Sequence, residues 1–458
     1  MAVDLRVVGL EVRVPTRGGR RLRYINLDNA ASTPPLAAVV RKIGEFLPWY
    51  ASVHRGAGFK SRLATEVFEE ARHIIAASFG FSGATNAVIF TKNATEALNK
   101  LAHRWPWQPG DVVICSLAEH HSNDLPWRRH ATVVRLGLRP DGTIDLDRLG
   151  PTLAAHAPRV KLVALTGASN VTGFLPDLHL AASIAHHHGA KIMVDAAQLA
   201  GHRPICALPD DDPRHLDFLA VSGHKIYAPF GGGALIGPRS FFARGEPEYA
   251  GGGTVSFVTP GSVAWAPPPG RDEAGTPNVI GAVALAAALK TMNEAGLARM
   301  AARERRLTGR LMAGLRCIPG VVLYGPPFPE VDRIGIVSFN LRGLPHGLVA
   351  SVLACDYAIG VRSGCFCAHP YVRWLLGMGE TEAGTAAAAQ SADPGHPGMV
   401  RVSLGVYNTE EDVDRFLWAL EEIAAHPAYF RACYEYDEED GYWWPRGWRP
   451  DWGRWFRL

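Results

Sequence analysis

Two short segments place a carboxylate and a lysine where both could hold one ligand. Asp195 directly follows the apolar run Lys191–Val194, and Lys225 ends the segment SGHK (222–225), just after the apolar run Leu216–Val221. A lysine amine can bind an aldehyde as a Schiff base, and a carboxylate can keep a pyridine nitrogen protonated so that the ring withdraws electrons. This pair of residues at two strand ends is what a pyridoxal phosphate site requires. Each residue alone would suggest only a surface lysine or a helix-capping aspartate.

Strand-like and helix-like segments alternate from about Leu27 to Arg239, and they would position both residues. The predicted strands are 87–91, 111–116, 161–166, 191–194, 216–221 and 233–236, and helical patterns cover 94–102 and 177–188. Such alternation is typical of a mostly parallel sheet with helices on both faces. In these sheets ligands bind beyond the carboxyl ends of the strands, so Asp195 and Lys225 would lie at the binding edge.

The rest of the chain predicts a second, smaller α+β domain. A long helix from Val279 to about Met300 would lead to helices at 307–315 and 409–424 and to strands at 334–341 and 399–404. We expect a large domain at 25–290, a small domain formed by 1–24 and 291–430, and an aromatic C-terminal tail at 431–458.

Ten motifs in order along the chain resemble one enzyme family. They are NLDNAAST (26–33), SVHRG (52–56), NATEALN (93–99), EHHSNDLPW (119–127), SNVTG (169–173), VDAAQ (194–198), SGHK (222–225), EAGTPN (273–278), RSGCFCA (362–368) and RVSLGVYNT (401–409). Together they resemble the class V aminotransferase superfamily of fold type I pyridoxal phosphate enzymes, in particular the cysteine desulfurase/selenocysteine lyase family. The resemblance implies an α/β fold, with a mostly parallel seven-stranded sheet in the large domain.

The resemblance also implies a role for each cofactor-binding residue. Lys225 would hold pyridoxal 5'-phosphate as a Schiff base and move the substrate Cα proton, Asp195 would pair with the pyridine nitrogen, and Gln198 would face the phenolate oxygen. His120 would stack on the ring; His121 is the less favoured alternative because the family's stacking histidine directly follows the glutamate. Residues from several segments would bind the phosphate, the last of them across a homodimer: Ala94, Thr95, Ser222, His224 and Thr276.

On the substrate side, the resemblance implies that Asn170, Arg401 and Ala31 bind the amino acid. Arg401 would grip the substrate carboxylate through two parallel hydrogen bonds. Cys367 would accept the substrate sulfur as a persulfide, which requires a thiolate on a movable loop.

The chain departs from the family pattern near the reactive residues. The two positions before Cys367, often histidines in the family, are Cys365 and Phe366. Cys365 could relay a persulfide, close a disulfide or be inert, and with Arg362 it is an auxiliary candidate. The family's phosphate-binding Thr-Thr pair is Ala-Thr at 94–95, and the second histidine of its HRGxH motif is a glycine at 58.

Composition excludes several classes of partner. Among 458 residues, 47 Lys+Arg against 44 Asp+Glu leave a formal net charge of +3, which is too balanced for a nucleic-acid or membrane-surface binder. The most apolar run, Val279–Leu289, is shorter than the roughly 20 residues of a membrane span. Seven scattered cysteines and the lack of a signal-like start indicate reduced thiols in a cytoplasmic protein. No metal site is predicted.

Two segments fit neither predicted domain. Gly379–Gly398 is rich in alanine, glycine, serine and proline, and could be a lid, a docking surface for a sulfur acceptor or a tolerated surface loop. The tail from Tyr434 holds five of the twelve tryptophans. Because so many tryptophans rarely stay solvated, we expect this tail to pack on the body of the protein or on a second subunit.

The favoured hypothesis is a cysteine desulfurase that converts L-cysteine to L-alanine and passes sulfur from Cys367 to a protein acceptor, with selenocysteine as an alternative substrate. A second hypothesis is another class V enzyme, namely an aminotransferase, epimerase or carbon–sulfur lyase. A third is a retired enzyme that serves as an interaction scaffold. A dinucleotide-binding domain is disfavoured because the glycine runs 231–233 and 251–253 lack the GxGxxG spacing.

Overall fold

The computed structural model describes residues 4–378 and 397–458. The helices, in chain order, are α1 (Ala37–Phe46), α2 (Phe59–Ser78), α3 (Ala94–Arg104), α4 (Leu149–His156), α5 (Leu178–His187), α6 (Arg239–Phe242), α7 (Val279–Ala295), α8 (Leu297–Cys317), α9 (His346–Tyr357), α10 (His369–Leu375), α11 (Glu410–Ala425) and α12 (Pro427–Cys433). Within these two ranges, none of the helices has the length and apolarity needed to cross a bilayer. All but the last two residues of the predicted insertion 379–398 lie outside the described residues.

The strands are short and distributed along the whole chain. They are β1 (Arg13–Pro15), β2 (Arg21–Arg23), β3 (Ile25–Asn26), β4 (Asn86–Thr91), β5 (Val112–Ser116), β6 (Thr132–Leu136), β7 (Val160–Thr166), β8 (Lys191–Asp195), β9 (Phe218–Ser222), β10 (Gly233–Pro238), β11 (Val255–Thr259), β12 (Ser262–Trp265), β13 (Val321–Tyr324), β14 (Ile336–Leu341), β15 (Ile359–Gly360), β16 (Arg362–Gly364), β17 (Met399–Ser403), β18 (Tyr434–Asp437) and β19 (Tyr442–Pro445).

The chain forms two compact units, of which the first contains a seven-stranded sheet. This unit comprises the described residues up to Val8 together with Ser32–Ser169 and Leu175–Ala301. Its strand order is β4-β10-β9-β8-β7-β5-β6. Strands β5 to β9 run parallel, whereas β10 is antiparallel to both of its neighbours. The predicted α/β fold with a mostly parallel seven-stranded sheet is therefore confirmed.

The central strands consist of continuous apolar runs. Both faces of this sheet are covered, so side chains that point to either face are buried. Every residue of β5 and of β9 is buried. The helix α3 begins at Ala94, where the Asn93 side chain accepts a hydrogen bond from the Glu96 amide and so caps the helix. One core cluster joins these elements through large side chains that include Trp127, Phe218 and Phe242. Burying one such side chain contributes roughly 1.5–3 kcal/mol.

The helix predicted from Val279 to about Met300 is two helices in the structure. Gly296 lies between α7 and α8 with φ 86°, and its amide donates to the carbonyls of Met292 and Asn293, which closes α7. Glycine adopts a positive φ without the clash that a Cβ causes in other residues. The prediction of one helix was wrong here because this glycine ends the helical hydrogen-bond pattern after Ala295.

The second unit is built around a four-stranded antiparallel sheet. It comprises Gly9–Ala31, Asn170–Phe174 and the described residues from Ala302 onward. The strand order is β13-β14-β17-β16, and β3 pairs with β15 in parallel beside it. Helices α8, α9 and α11 supply apolar side chains to the core cluster that buries this sheet. Thr409 starts α11 with a capping box, its hydroxyl accepting from the Asp412 amide.

These units do not coincide with the predicted domain limits. Residues 25–31, predicted in the large domain, lie in the second unit, where β3 pairs with β15, and the described residues up to Val8, predicted in the small domain, lie in the first unit. The first unit extends to Ala301 instead of 290, and the short segment Asn170–Phe174 belongs to the second unit. The tail is part of the second unit as well.

The tail packs on the second unit through a hairpin and is exposed beyond it. Strands β18 and β19 pair antiparallel, and Tyr434 and Trp443 belong to that unit's core cluster. In contrast, Trp452 and Phe456 are exposed. Hydrophobic burial therefore explains the hairpin but not the last residues of the tail.

Trp443→Ala should destabilise the second unit far more than Trp452→Ala. The Trp443 side chain is 8% exposed and contacts the Tyr436 ring, whereas Trp452 is 67% exposed. Truncating a buried tryptophan costs about 3–5 kcal/mol in the free energy of unfolding, and an exposed one about 0.5 kcal/mol or less. Denaturant unfolding of the two matched variants checks this. Equal losses of stability would contradict the burial assigned to the hairpin.

Candidate active site

The predicted aspartate and lysine lie at one edge of the first unit's sheet. Strand β8 ends at Asp195 and its parallel neighbour β9 ends at Ser222, three residues before Lys225. Asp195 is buried, and its Oδ1 accepts a hydrogen bond from the Ala197 amide at 3.0 Å. Burial raises the pKa of Asp195, and the charge of Lys225 opposes that shift. A further cation beside this carboxylate would offset the cost of burying its charge.

The turn that carries Lys225 is fixed by close backbone packing. The Gly223 amide donates to the Gly232 carbonyl at 2.8 Å, and a Cβ on Gly223 would approach that same oxygen to 2.6 Å. Thr33 holds the other side of this turn through two hydrogen bonds. Its amide donates to the His224 carbonyl at 2.8 Å, and its hydroxyl accepts from the Tyr227 amide at 2.8 Å. The lysine is therefore held on a rigid backbone.

Three of the predicted phosphate-binding residues, Ala94, Thr95 and Ser222, lie at the start of α3. The Ala94 amide donates to Ser222 Oγ at 2.8 Å, so the serine proton is available to an anion. The Thr95 hydroxyl lies 2.8 Å from the Ser122 hydroxyl. Amides at a helix N-terminus attract phosphate through their partial positive charge. Burial and the neighbouring Lys225 lower the pKa of His224 to about 4, so this side chain is a neutral hydrogen-bonding group.

His120 has a defined tautomer on the loop after β5. Its Nδ1 accepts a hydrogen bond from the Ser122 amide at 3.1 Å, so the neutral ring carries its proton on Nε2. The preceding Glu119 is buried and accepts from Ser116 Oγ at 2.6 Å and Asn123 Nδ2 at 2.7 Å. Burial raises the pKa of Glu119 to about 8. This neutral carboxyl holds the loop that carries His120.

Two more predicted cofactor residues differ in their surroundings. Gln198 is buried three positions after Asp195, in the turn that follows β8. Thr276 is exposed and lines a cavity of about 200 Å³ together with Lys92 and Lys100. Its predicted reach into a neighbouring subunit stays a prediction.

The predicted substrate-binding residues of the second unit surround Arg401 on β17. The Arg401 guanidinium donates to the Asn170 carbonyl at 2.9 Å and lies 3.3 Å from the Asp28 carboxylate, which also pairs with Arg362 at 3.1 Å. The Ala31 amide donates to the Asp28 carbonyl at 3.1 Å. Burial lowers the pKa of Arg401 to about 10, which leaves it charged at neutral pH. Within the described residues its buried Nε has no hydrogen-bond partner, so a donor remains for an anion.

Cys365 and Cys367 differ sharply in environment. Cys367 is exposed, and it and Phe366 adopt left-handed φ angles of 54° and 53°. Such angles cost about 1–3 kcal/mol each in residues other than glycine. Asn170 Nδ2 holds the turn by donating to the Phe366 carbonyl at 2.7 Å, and the Arg401 guanidinium lies 4.7 Å from the Phe366 ring centre. The turn therefore presents the thiol at position 367 to solvent.

Cys365 lies inside the same turn as an unreactive thiol. Its Sγ donates to the Pro397 carbonyl at 3.1 Å, and burial raises its pKa to about 11. A protonated thiol is a weak nucleophile. All seven cysteines of the chain lie in the described residues, and none of them is in a disulfide there. Of the three roles considered for Cys365, the inert one fits this environment.

Comparison with known proteins decides the family. The model of the family described as "Aminotransferase class-V" matches residues 25–416. The chain belongs to the class V aminotransferase family. The resemblance predicted from the ten motifs is therefore confirmed.

Curated relatives within the family are cysteine desulfurases. One from Klebsiella pneumoniae (strain 342) is 36% identical over 417 residues, covering 88% of this chain and 94% of the relative. Another from Escherichia coli O127:H6 is 35% identical over 407 residues, covering 87% and 92%.

Solved structures agree with these relatives. The apo cysteine desulfurase of Thermococcus onnurineus NA1 matches with a TM-score of 0.77 and 35% identity, over 88% of this chain and 95% of that one. The S-sulfonic acid form of the cysteine desulfurase CsdA of Escherichia coli matches with a TM-score of 0.74 and 32% identity, over 87% and 94%. This chain is therefore an enzyme of the class V aminotransferase family, and it has the fold of cysteine desulfurases.

Three residues of the site were missed by sequence reasoning although they stand inside quoted motifs. Asp28 balances the charge of Arg401, Thr33 fixes the lysine turn, and Glu119 holds the histidine loop. The sequence signal that could have indicated these residues was their position within the motifs NLDNAAST and EHHSNDLPW. Burial and partners, which depend on distant segments, were needed to assign these contacts.

Glu119 should make the protein less stable as pH rises. Its carboxyl stays protonated in the folded chain up to about pH 8, whereas in the unfolded chain it ionises at about pH 4.3. Between these values only the folded chain keeps the proton, so the free energy of unfolding falls by up to about 1.4 kcal/mol per pH unit. Glu119→Gln removes this titration, so its melting temperature relative to the unsubstituted protein should rise from about pH 5 to about pH 8.

Glu70→Gln is the matched control, since Glu70 is an exposed glutamate on α2. Its melting temperature should differ from that of the unsubstituted protein by a constant amount across the same range. A constant difference for Glu119→Gln as well would show that Glu119 is ionised in the folded chain and would contradict this assignment.

Proposed function

We propose that this chain is a pyridoxal phosphate-dependent cysteine desulfurase. It converts L-cysteine to L-alanine and takes the sulfur onto Cys367, with selenocysteine as a related substrate. The observation that carries the proposal is the contrast between two thiols of one turn, in which Cys367 is exposed and Cys365 is buried with a raised pKa. A sulfur carrier must be reachable by both the substrate and the next acceptor.

The residues of the first unit fit pyridoxal phosphate. Asp195 is a buried carboxylate that a protonated pyridine nitrogen would neutralise, and the Ser222 hydroxyl and the α3 amides offer donors to a phosphate. Lys225 would hold the aldehyde, and Gln198 and His120 would bind the ring. Once bound, the cofactor supplies an electron sink for the bonds at the substrate Cα.

The chain's own residues would perform the binding, proton transfer and sulfur transfer. Arg401 and Asn170 bind the substrate carboxylate, for which the buried Arg401 Nε supplies a donor. The Lys225 amine moves the proton at the substrate Cα. The Cys367 thiolate attacks the substrate sulfur, so the carbon–sulfur bond breaks, a sulfur–sulfur bond forms and the carbon gains a proton. L-Cysteine and one thiol therefore give L-alanine and one persulfide.

The proposal extends to the setting in which the enzyme works. We place it in the cytoplasm as a homodimer, in which Thr276 of one subunit reaches the phosphate bound by the other. A protein acceptor would remove the sulfur from Cys367, for which exposure of the thiol is a requirement. The composition that disfavours nucleic acid and membrane as partners supports this setting.

Cys367→Ser should abolish turnover of L-cysteine, while Cys365→Ser should leave most of it. Loss of the nucleophile removes the group that accepts sulfur, so activity should fall to about 1% or less. Alanine and sulfide formed from L-cysteine measure the rate, and mass spectrometry locates the persulfide. The absorbance of the bound cofactor shows that each variant is intact.

The two serine variants are matched controls for each other because both lie in one turn. Undiminished alanine formation by Cys367→Ser would overturn the role of Cys367. A persulfide found only on Cys365 would do the same. If L-cysteine leaves the cofactor spectrum unchanged while another amino acid shifts it, the chain is a different class V enzyme.

A further inference from the structure

A cluster of two histidines and an aspartate lies at the opposite end of the strands that carry the proposed cofactor residues. His186 is near the end of α5, and His215 and Asp217 come just before β9 begins at Phe218. Strand β8 begins at Lys191, beside this cluster, and ends at Asp195. Five residues of strand span about 13 Å, so the cluster is separate from the proposed catalytic edge.

Both histidine rings are held through Nδ1 and turn Nε2 toward Asp217. His186 Nδ1 lies 2.7 Å from the Pro213 carbonyl oxygen, and His215 Nδ1 lies 2.7 Å from the Asp212 carbonyl oxygen. A carbonyl oxygen only accepts, so each Nδ1 must carry the proton. Each Nε2 faces the Asp217 carboxylate, which also only accepts, so a proton on Nε2 must leave before its electron pair can bind a metal ion. Metal-binding histidines are oriented in this way, with the second nitrogen donating to a carbonyl or carboxylate.

The two Nε2 atoms converge on one buried carboxylate. His186 Nε2 lies 2.8 Å from Asp217 Oδ2, and His215 Nε2 lies 3.4 Å from Asp217 Oδ1. The Asp217 side chain is 1% exposed, and those of His186 and His215 are 16% and 18% exposed. Asp217 is fixed from behind by the Ile192 amide, which donates to Oδ2 at 2.9 Å. Three potential metal ligands therefore lie close together, and two of them are partly exposed to solvent.

We propose that His186, His215 and Asp217 form a binding site for a divalent transition metal ion. Together their ligand atoms lie within 4.8 Å of one another. In a tetrahedral zinc site with bonds near 2.0 Å, ligand atoms lie about 3.3 Å apart. The His186 and His215 rings are stacked with their centres 4.3 Å apart, so one ring must rotate for both Nε2 atoms to reach one ion. Two imidazoles and one carboxylate suit zinc, cobalt, nickel or copper, with water in the fourth position.

Lys191 is the group with which a metal ion would compete. Its ammonium lies 2.5 Å from Asp217 Oδ1, and its side chain is 44% exposed. The lysine can therefore swing into solvent when a metal ion takes its place. The metal would join the end of α5 to the start of β9, which are the elements that also support β8. The site would be structural and independent of the proposed reaction.

Cobalt(II) chloride titrated into the cofactor-loaded enzyme tests the site directly. Tetrahedral Co²⁺ gives visible bands, and thiolate ligands add near-ultraviolet charge-transfer bands that nitrogen and oxygen ligands lack. We expect one Co²⁺ per chain with visible bands but without thiolate bands. Zinc chloride should displace it.

Substitutions within the cluster separate this site from other metal-binding groups. His186→Gln and His215→Gln should each weaken Co²⁺ binding by more than about 100-fold, since even outer partners of metal ligands change affinity by about 10–100-fold. His187→Gln is the matched control, because His187 is exposed at the same helix end and lies outside the cluster. It should bind Co²⁺ as the unsubstituted enzyme does.

Lys191→Met provides a test that misfolding cannot imitate. Removing the competing ammonium should tighten Co²⁺ binding several-fold, whereas a damaged fold would weaken it. The proposal is overturned if the unsubstituted enzyme gives no tetrahedral signal, if the signal carries thiolate bands, or if it survives in both glutamine variants. Equal losses in His187→Gln, or weaker binding in Lys191→Met, would overturn it as well.

Discussion

The buried charge of Asp195 constrains the arrangement around it in the first unit. A carboxylate at the end of β8 loses its water, and its raised pKa records that cost. The Ala197 amide and the charge of Lys225 offset part of it. The close backbone packing at Gly223 and the hydrogen bonds of Thr33 then keep the lysine turn in place beside this edge. In the proposed site, a protonated ring nitrogen would add a further positive charge beside this carboxylate.

In the second unit the buried charge is positive, and a carboxylate stabilises it. Arg401 is buried on β17, where Asp28 shares its charge between Arg401 and Arg362. Among the described residues, no group accepts a hydrogen bond from Arg401 Nε. The other nitrogens of the guanidinium are paired, which offsets the cost of its burial, and the Nε donor remains for an anion. The same guanidinium lies beside the Phe366 ring. The arginine proposed to bind the substrate therefore also contacts the turn that carries Cys367.

Local features of the chain were enough to predict six of the seven strands of the large sheet and the position of Asp195 and Lys225 at one edge of it. A strand that is buried on both faces needs a continuous apolar run, so β5 and β9 could be predicted from the sequence alone. Gly296 was missed as a helix end because glycine is also tolerated inside helices. The pairing of Asp28 with Arg401 joins residues 373 positions apart, and the convergence of His186 on Asp217 depends on the sheet register. Such contacts exist only once the chain has folded.

The protonation state of a bound pyridine nitrogen tests the central claim most directly. Solid-state ¹⁵N spectra of the enzyme loaded with ¹⁵N-labelled pyridoxal phosphate report that state. The account predicts a pyridinium shift for the unsubstituted enzyme at neutral pH, and a neutral pyridine shift for Asp195→Asn, which keeps the size of the side chain and removes its charge. A neutral pyridine nitrogen in the unsubstituted enzyme would contradict the role given to the buried carboxylate, as would a failure to bind the label.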